Sequence, residues 1–173
     1  MKMRIEKISI QNYRQLRSVN INLATQKRKN DLNIIIGRNG TGKTNILNAI
    51  NWCLYGKEPL LSKNSQTLPL LNLNTIKENV NSNQKQKVEV KIKLSIDHNE
   101  EITFCREKYY RVYDIENHPK LSEERFFIEK NDQKGNTEFI EKQEREYSNV
   151  KRFVPRDISD FFFFDGERLD NYF

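Results

Sequence analysis

One spacing constrains this chain more than any other feature: Gly37, four intervening residues, then Gly42, Lys43 and Thr44. Gly37, Gly40 and Gly42 permit backbone turns closed to residues with a Cβ, so successive N–H groups can converge on one anion. Lys43 adds a mobile positive charge for β- and γ-phosphates, and the Thr44 hydroxyl is a hard oxygen ligand for Mg²⁺. The pattern is that of a phosphate-binding P-loop. Its flanks agree. Ile34, Ile35 and Ile36 form a short β-branched run suited to a strand buried on both faces. Downstream, Ile46, Leu47, Ile50, Cys53 and Leu54 recur at helical spacing, and Gly56 is placed to end that helix. A helix there directs the positive end of its dipole at the phosphates. The candidate nucleotide-binding residues are therefore Gly37, Arg38, Asn39, Gly40, Thr41, Gly42, Lys43, Thr44 and Asn45.

Composition narrows the class without deciding it. At 173 residues the chain is long enough for one domain with a real core. Its net charge of +6 suits an anionic partner such as nucleic acid, and suits a solvated basic surface equally well. Cys53 and Cys105 fall at apolar-phase positions of an expected helix and strand, while His98 and His118 fall in expected turns. No metal-ligand spacing connects them. There is no run of about 20 apolar residues and no signal-peptide core at the N-terminus, so a cytoplasmic protein with reduced thiols and no membrane partner is expected.

Before the loop, Met3, Ile5, Ile8, Ile10 and Tyr13 read as a strand with a break in phase. Val19, Ile21 and Leu23 alternate with polar residues as a second strand, and Gln26–Asp31 reads as a turn. Beyond Gly56, residues 57–87 read as a flexible, mostly irregular insertion with one short helix and an apolar island at Leu68–Leu73. Val88, Val90, Ile92, Leu94 and Ile96 then alternate without a fault. Asp97–Glu100 is turn chemistry, and Ile102 and Phe104 begin a returning strand. A shorter pair is expected at Arg125–Lys130 and Thr137–Ile140, so the middle of the chain is an antiparallel meander. Residues 141–154 turn helical with Tyr147, Val150, Phe153 and Val154 on one face, and Pro155 ends that pattern.

Phe161–Phe164 run directly into Asp165, Gly166 and Glu167. Four apolar residues and an acid have the shape of a Walker B strand, with Asp165 on the magnesium side and Glu167 orienting the attacking water. On that reading the chain is a self-contained small P-loop NTPase. Gly166 intervenes, however, where a catalytic Glu commonly follows the Asp directly.

A different reading comes from a resemblance. Asn12-Tyr13-Arg14 on a strand pair, then GRNGTGKT with Asn39 before the middle glycine, then a meander and an aromatic strand ending in Asp-Gly-Glu, resemble the N-terminal half of an SMC-type ABC ATPase head. Within that family, FFFFDGERLDNYF is most similar to the SMC-like ATPase of the Dnd (DNA phosphorothioation) system and related phage-defence ATPases. The resemblance implies that Gly37–Thr44 bind ATP and that Arg14 lies near the nucleotide. Asp165-Gly166-Glu167 falls where many members carry the Gln-Gly-Glu of the Q-loop; Asp165 keeps a metal-binding oxygen but loses the amide donor. It also implies a coiled-coil helix starting at about 167–173, and a C-terminal half supplying the signature loop, Walker B and catalytic Glu. Glu100–Glu101, Glu123–Glu124 and the carboxylates of 141–146 read instead as solvated turn or helix residues.

The expected fold is thus α/β: an ABC-type P-loop ATPase head lobe with an antiparallel β layer beside the P-loop strand and helix. ATP and Mg²⁺ are the expected ligands, with Lys43 and Glu167 as candidate catalytic residues and Thr44 and Asp165 as candidate metal ligands. Expected partners are the C-terminal half of the same head, a second head in a homodimer, DNA, and other modification or defence proteins. A third reading is a non-hydrolysing, ATP-gated DNA-binding or scaffolding module, with Lys27, Arg28 and Lys29 clustered on one face.

Overall fold

The structure, a computed structural model, describes residues 3–23, 33–61, 68–96, 100–113, 119–131, 137–140 and 150. Alternating side chains build its main layer. The strands β1 (Met3–Tyr13), β2 (Leu16–Asn22), β3 (Gln86–Ile96), β4 (Glu100–Arg111), β5 (Lys120–Asn131) and β6 (Thr137–Ile140) are joined in the order β2-β1-β3-β4-β5-β6. Every pairing is antiparallel, and β3 to β6 form the expected meander. Because successive strand residues face opposite ways, Val88, Val90, Ile92 and Leu94 all point to one side, where each is at most 1% exposed. Ile8 and Ile10 lie opposite Ile92 and Val90, and Phe104 lies between Ile92 and Ile128. The phase break in the first strand is a bulge between Ile5 and Lys7, which leaves both Ile5 and Ile8 in register with inward residues of β3.

Helix α1 (Lys43–Tyr55) covers that inner face, and every residue from Asn48 to Leu54 is buried. The Cys53 thiol rests 3.3 Å from the Val90 carbonyl and 3.6 Å from that of Phe104, and burial pushes its pKa up to about 12. Cys105 is buried as well, but on the opposite face of the sheet, beside Glu89 and Glu107, so only Cys53 is a thiol of the core under α1. Gly56 ends α1 in a left-handed conformation (φ 69°), its N–H reaching the Trp52 carbonyl at 2.9 Å. The last turn of the helix carries no basic residue of its own. Arg106 from β4 supplies the cation, donating Nε to the Cys53 carbonyl at 3.0 Å.

The other face of the sheet is polar and mixed in sign. Lys87 bridges Glu89 and Glu107 at 2.7 and 3.3 Å, Lys91 reaches Glu89 at 3.3 Å, and Lys93 reaches Glu101 at 2.7 Å. Glu89, Cys105 and Glu107 place ligand-type atoms within 4.8 Å of one another. The lysines take up those carboxylates, so the group reads as an ion-pair lattice and not a metal centre. No helix among the described residues is long and apolar enough to cross a membrane.

Some expectations need correction. Residues 33–38 form no strand, and Ile34, Ile35 and Ile36 are 70%, 48% and 90% exposed. A run of consecutive apolar residues needs cover on both faces, and among the described residues no strand lies beside this one. Glu123 and Glu124 belong to β5 and not to a turn; they pair with Arg125 and Lys85, and with Arg106 and Lys108. β5 also starts at Lys120 and β2 at Leu16, earlier than their apolar patterns begin. Val150 is helical and buried. The rest of 141–154, the turn at 26–31, His98, His118 and Phe161–Glu167 lie outside the described residues.

Candidate functional site

The phosphate loop leaves the exposed 33–38 segment and enters α1 through Gly42. That glycine caps the helix at φ 102°, in the left-handed region, with no side-chain cap and no acid in the first turn. The first N–H groups of α1 thus receive no side-chain cap, and the positive end of the helix dipole lies at the loop. A Cβ on Gly42 would stand 2.6 Å from Gln15 Nε2 and 2.9 Å from Leu16 Cδ2, so the turn joining β1 and β2 packs directly on the loop.

Lys43 reaches back across the loop. Its Nζ donates to the carbonyls of Gly37 (2.8 Å) and Arg38 (2.9 Å). Thr41 donates its hydroxyl (2.8 Å) and its N–H (3.3 Å) to the same Arg38 carbonyl. The ammonium therefore sits in the mouth formed by Gly37–Thr41, held by neutral oxygens with no carboxylate in those contacts. Thr44 and Asn45 follow in the first turn of α1, half-buried, while Arg38 and Asn39 are exposed on the loop. The residues from Gly37 to Asn45 are accordingly one contiguous stretch running from the loop into the first turn of α1.

Arg14 lies close by but is engaged. Its guanidinium grips Glu58 through Nε (2.9 Å) and Nη2 (2.6 Å), and the same carboxylate accepts the Tyr13 hydroxyl. Burial works against the Arg14 charge, yet the Glu58 contacts hold its pKa above the ordinary value. Burial first, and Glu58 second, push the Tyr13 phenol far above its usual range. Arg14, Gln15 and Asn45 also share the wall of a cavity of about 630 Å³, floored by Leu71, Leu73 and Ile76. That cavity adjoins the loop and mixes amide and apolar groups.

The second helix, α2 (Leu73–Glu78), fastens this corner. Asn72 caps it by accepting from the N–H groups of Asn74 and Thr75. The Asn72 side chain also donates to the Arg14 carbonyl (2.6 Å), and its backbone N–H to the Asn12 carbonyl (2.9 Å). Sequence reasoning missed Gln15, Glu58 and Asn72. Only Asn72 carried a signal, as a capping residue before LNTIKE. Asp165 and Glu167 lie outside the described residues.

A glycine-rich turn, a helix start free of acid and a lysine folded into the loop mouth define a P-loop NTPase site. The AAA domain family model matches residues 7–173, and the chain belongs to that family. A solved structure described as "Structural biochemistry of ATP-driven dimerization and DNA stimulated activation of SMC ATPases" is 18% identical, with a TM-score of 0.50. The likeness covers 96% of this chain and 95% of that one, and shows a shared fold, that of an SMC ATPase head lobe. A RecF–ATP structure, described as the recombination mediator protein of the RecFOR pathway, is 21% identical with a TM-score of 0.43. It covers 98% of this chain but only 38% of the other. No curated protein sequence gives a significant match.

Proposed function

We propose that this chain binds Mg–ATP at Gly37–Asn45 as one lobe of an SMC-like ATPase head. The observation that carries the reading is the Lys43 ammonium, held by the Gly37 and Arg38 carbonyls at the mouth of an uncapped helix N-terminus. Phosphate oxygens would take over those contacts, and the loop amides would converge on them. Thr44 has the right oxygen and position to hold magnesium, with Asp165 as second ligand; bound there, the ion neutralises charge on the phosphates. Arg14 would act on the nucleotide from the shared cavity wall, releasing or sharing Glu58 as it does so.

In the complete head, hydrolysis would drive closure of two heads on DNA, in phosphorothioate modification, phage defence or repair. The exposed Ile34–Ile36 run supports completion by another segment, the C-terminal half of the head, because a β-branched run this apolar is suited to burial on both faces. Glu167 is the candidate to orient water if the chain turns ATP over alone, the reading that makes it a small self-contained NTPase. A cytoplasmic location accords with this reading.

Titration calorimetry tests the site. Lys43→Ala should cost at least about tenfold in ATP affinity, the loss of a charge-assisted contact. Unchanged binding would overturn the assignment. Steady-state turnover by the chain alone that is lost in both Lys43→Ala and Glu167→Gln would favour the self-contained NTPase.

A further inference from the structure

The turn between β1 and β2 is held by more contacts than a hairpin needs. Asn12 and Arg14 both adopt left-handed backbone conformations, φ 51° and 52°, which side chains with a Cβ rarely choose. Such strain persists only where the surroundings fix it. Here they do. The Arg14 N–H donates to the Leu70 carbonyl (2.6 Å), Asn72 takes both the Arg14 and Asn12 carbonyls, and Thr75 donates its hydroxyl to the Asn12 side chain at 3.0 Å. The Asn12 amide in turn reaches the Lys87 carbonyl of β3 at 3.0 Å. Sheet, α2 and the Glu58 carboxylate thus grip the turn from three sides. Next to Arg14, the exposed side chain of Gln15 reaches the phosphate loop, donating Nε2 to the Gly40 carbonyl at 3.1 Å.

That contact fixes a peptide plane. The carbonyl of Gly40 and the N–H of Thr41 belong to one planar trans unit and point in opposite directions. With the carbonyl held by Gln15, the Thr41 N–H is turned to the Arg38 carbonyl, the same oxygen that receives the Lys43 ammonium. Gly40 sits at φ 79° with nothing within 4 Å of where a Cβ would stand, so the unit is held by hydrogen bonds, from Gln15 on its carbonyl side and to Arg38 on its N–H side. A flip would turn the Thr41 N–H away and add a third carbonyl oxygen to those of Gly37 and Arg38 around the Lys43 ammonium, where it would repel an anion.

We infer that Gln15 is a positioning residue: it holds the Gly40 carbonyl, so that the Thr41 N–H stays on the side of the Arg38 carbonyl and the Lys43 ammonium, where phosphate oxygens would take that carbonyl's place. The inference rests on the ATP-binding reading of the loop. Gln15 touches no nucleotide in this role. It acts through the Gly40 carbonyl, from a turn whose shape is set by α2 and the sheet.

Two substitutions in the full chain test it. Gln15→Met keeps length and removes the donor; Gln15→Glu removes the donor and adds charge. Both should weaken ATP binding in calorimetry by about three- to tenfold, the range of one hydrogen bond. Melting temperature without nucleotide should stay within about 2 °C, since the side chain is exposed. The amide resonance of Thr41 should shift in the nucleotide-free Gln15→Met protein. Loss in Gln15→Glu alone would mean charge repulsion and overturn the inference, as would an unmoved Thr41 resonance. Absence of ATP binding by the unsubstituted chain would sink the functional reading instead, so the two failures are distinguishable.

Discussion

Two runs of β-branched and aliphatic residues meet opposite fates in this molecule. Val88, Val90, Ile92 and Leu94 are buried to within 1% of complete, whereas Ile34, Ile35 and Ile36 are between 48% and 90% exposed. Side-chain chemistry is nearly the same in both. What differs is the order in which the residues come. The first run alternates with charged residues, so a single covering layer, α1, buries it while the lysines and glutamates of the far face pair with one another, partly buried. The second is unbroken, and only a strand or layer on each side can bury it. The first region stabilises the lobe from within; the second leaves apolar surface next to the phosphate loop, where a completing segment would fit.

Removing a side chain from each run breaks or sharpens that contrast. Ile92→Ala should cost about 4 kcal/mol in urea unfolding, since Ile92 sits between Ile8 and Phe104 under α1. Ile36→Ala should change the same chain by no more than about 0.5 kcal/mol. Equal costs would mean that the Ile34–Ile36 run is already buried in solution.

The buried ion pair comes next in size. Arg14 and Glu58 are 11% and 6% exposed, and Tyr13 donates to the same carboxylate. Glu58→Ala strands a buried cation and a buried hydroxyl, and should cost about 3 kcal/mol. The same corner gives a pH dependence. The Tyr13 phenol is held far above its usual range, so above about pH 10 the unfolded chain releases a proton that the folded chain retains. Stability should therefore fall as pH rises beyond that point. Tyr13→Phe should flatten the decline, measured by urea midpoints from pH 8 to 11.

Both regions show where sequence reading succeeds. The faultless alternation of β3, Gly56 at the end of α1 and even the phase break resolved as a bulge at Ile5 and Lys7 are local patterns, each with a local structural consequence. The P-loop is legible for the same reason, since its chemistry is carried by residues adjacent in the chain. Glu58 and Gln15 are not. Each acts across a long separation, on Arg14 and on Gly40, through contacts that exist only once the β1–β2 turn has closed on the loop and on Asn72. The Ile34–Ile36 run misled because its pattern specifies burial but not what supplies the cover.

The smallest effect separates a fixed corner from a merely charged one. Arg17 and Glu78 form a close bidentate pair, 2.8 and 2.5 Å, linking β2 to α2. On geometry alone the two pairs look alike. But the side chains of Arg17 and Glu78 are 57% and 50% exposed, so water and salt screen the attraction, and holding two long side chains in place costs entropy. Arg17→Ala should therefore change stability by no more than about 0.5 kcal/mol, and 1 M salt should erase even that. The Glu58→Ala cost should survive the same salt, because burial and not charge proximity sets it. A double-mutant cycle giving Arg17 and Glu78 a coupling as large as that of Arg14 and Glu58 would show that α2 is anchored by its surface, and not through Asn72 and the strained turn.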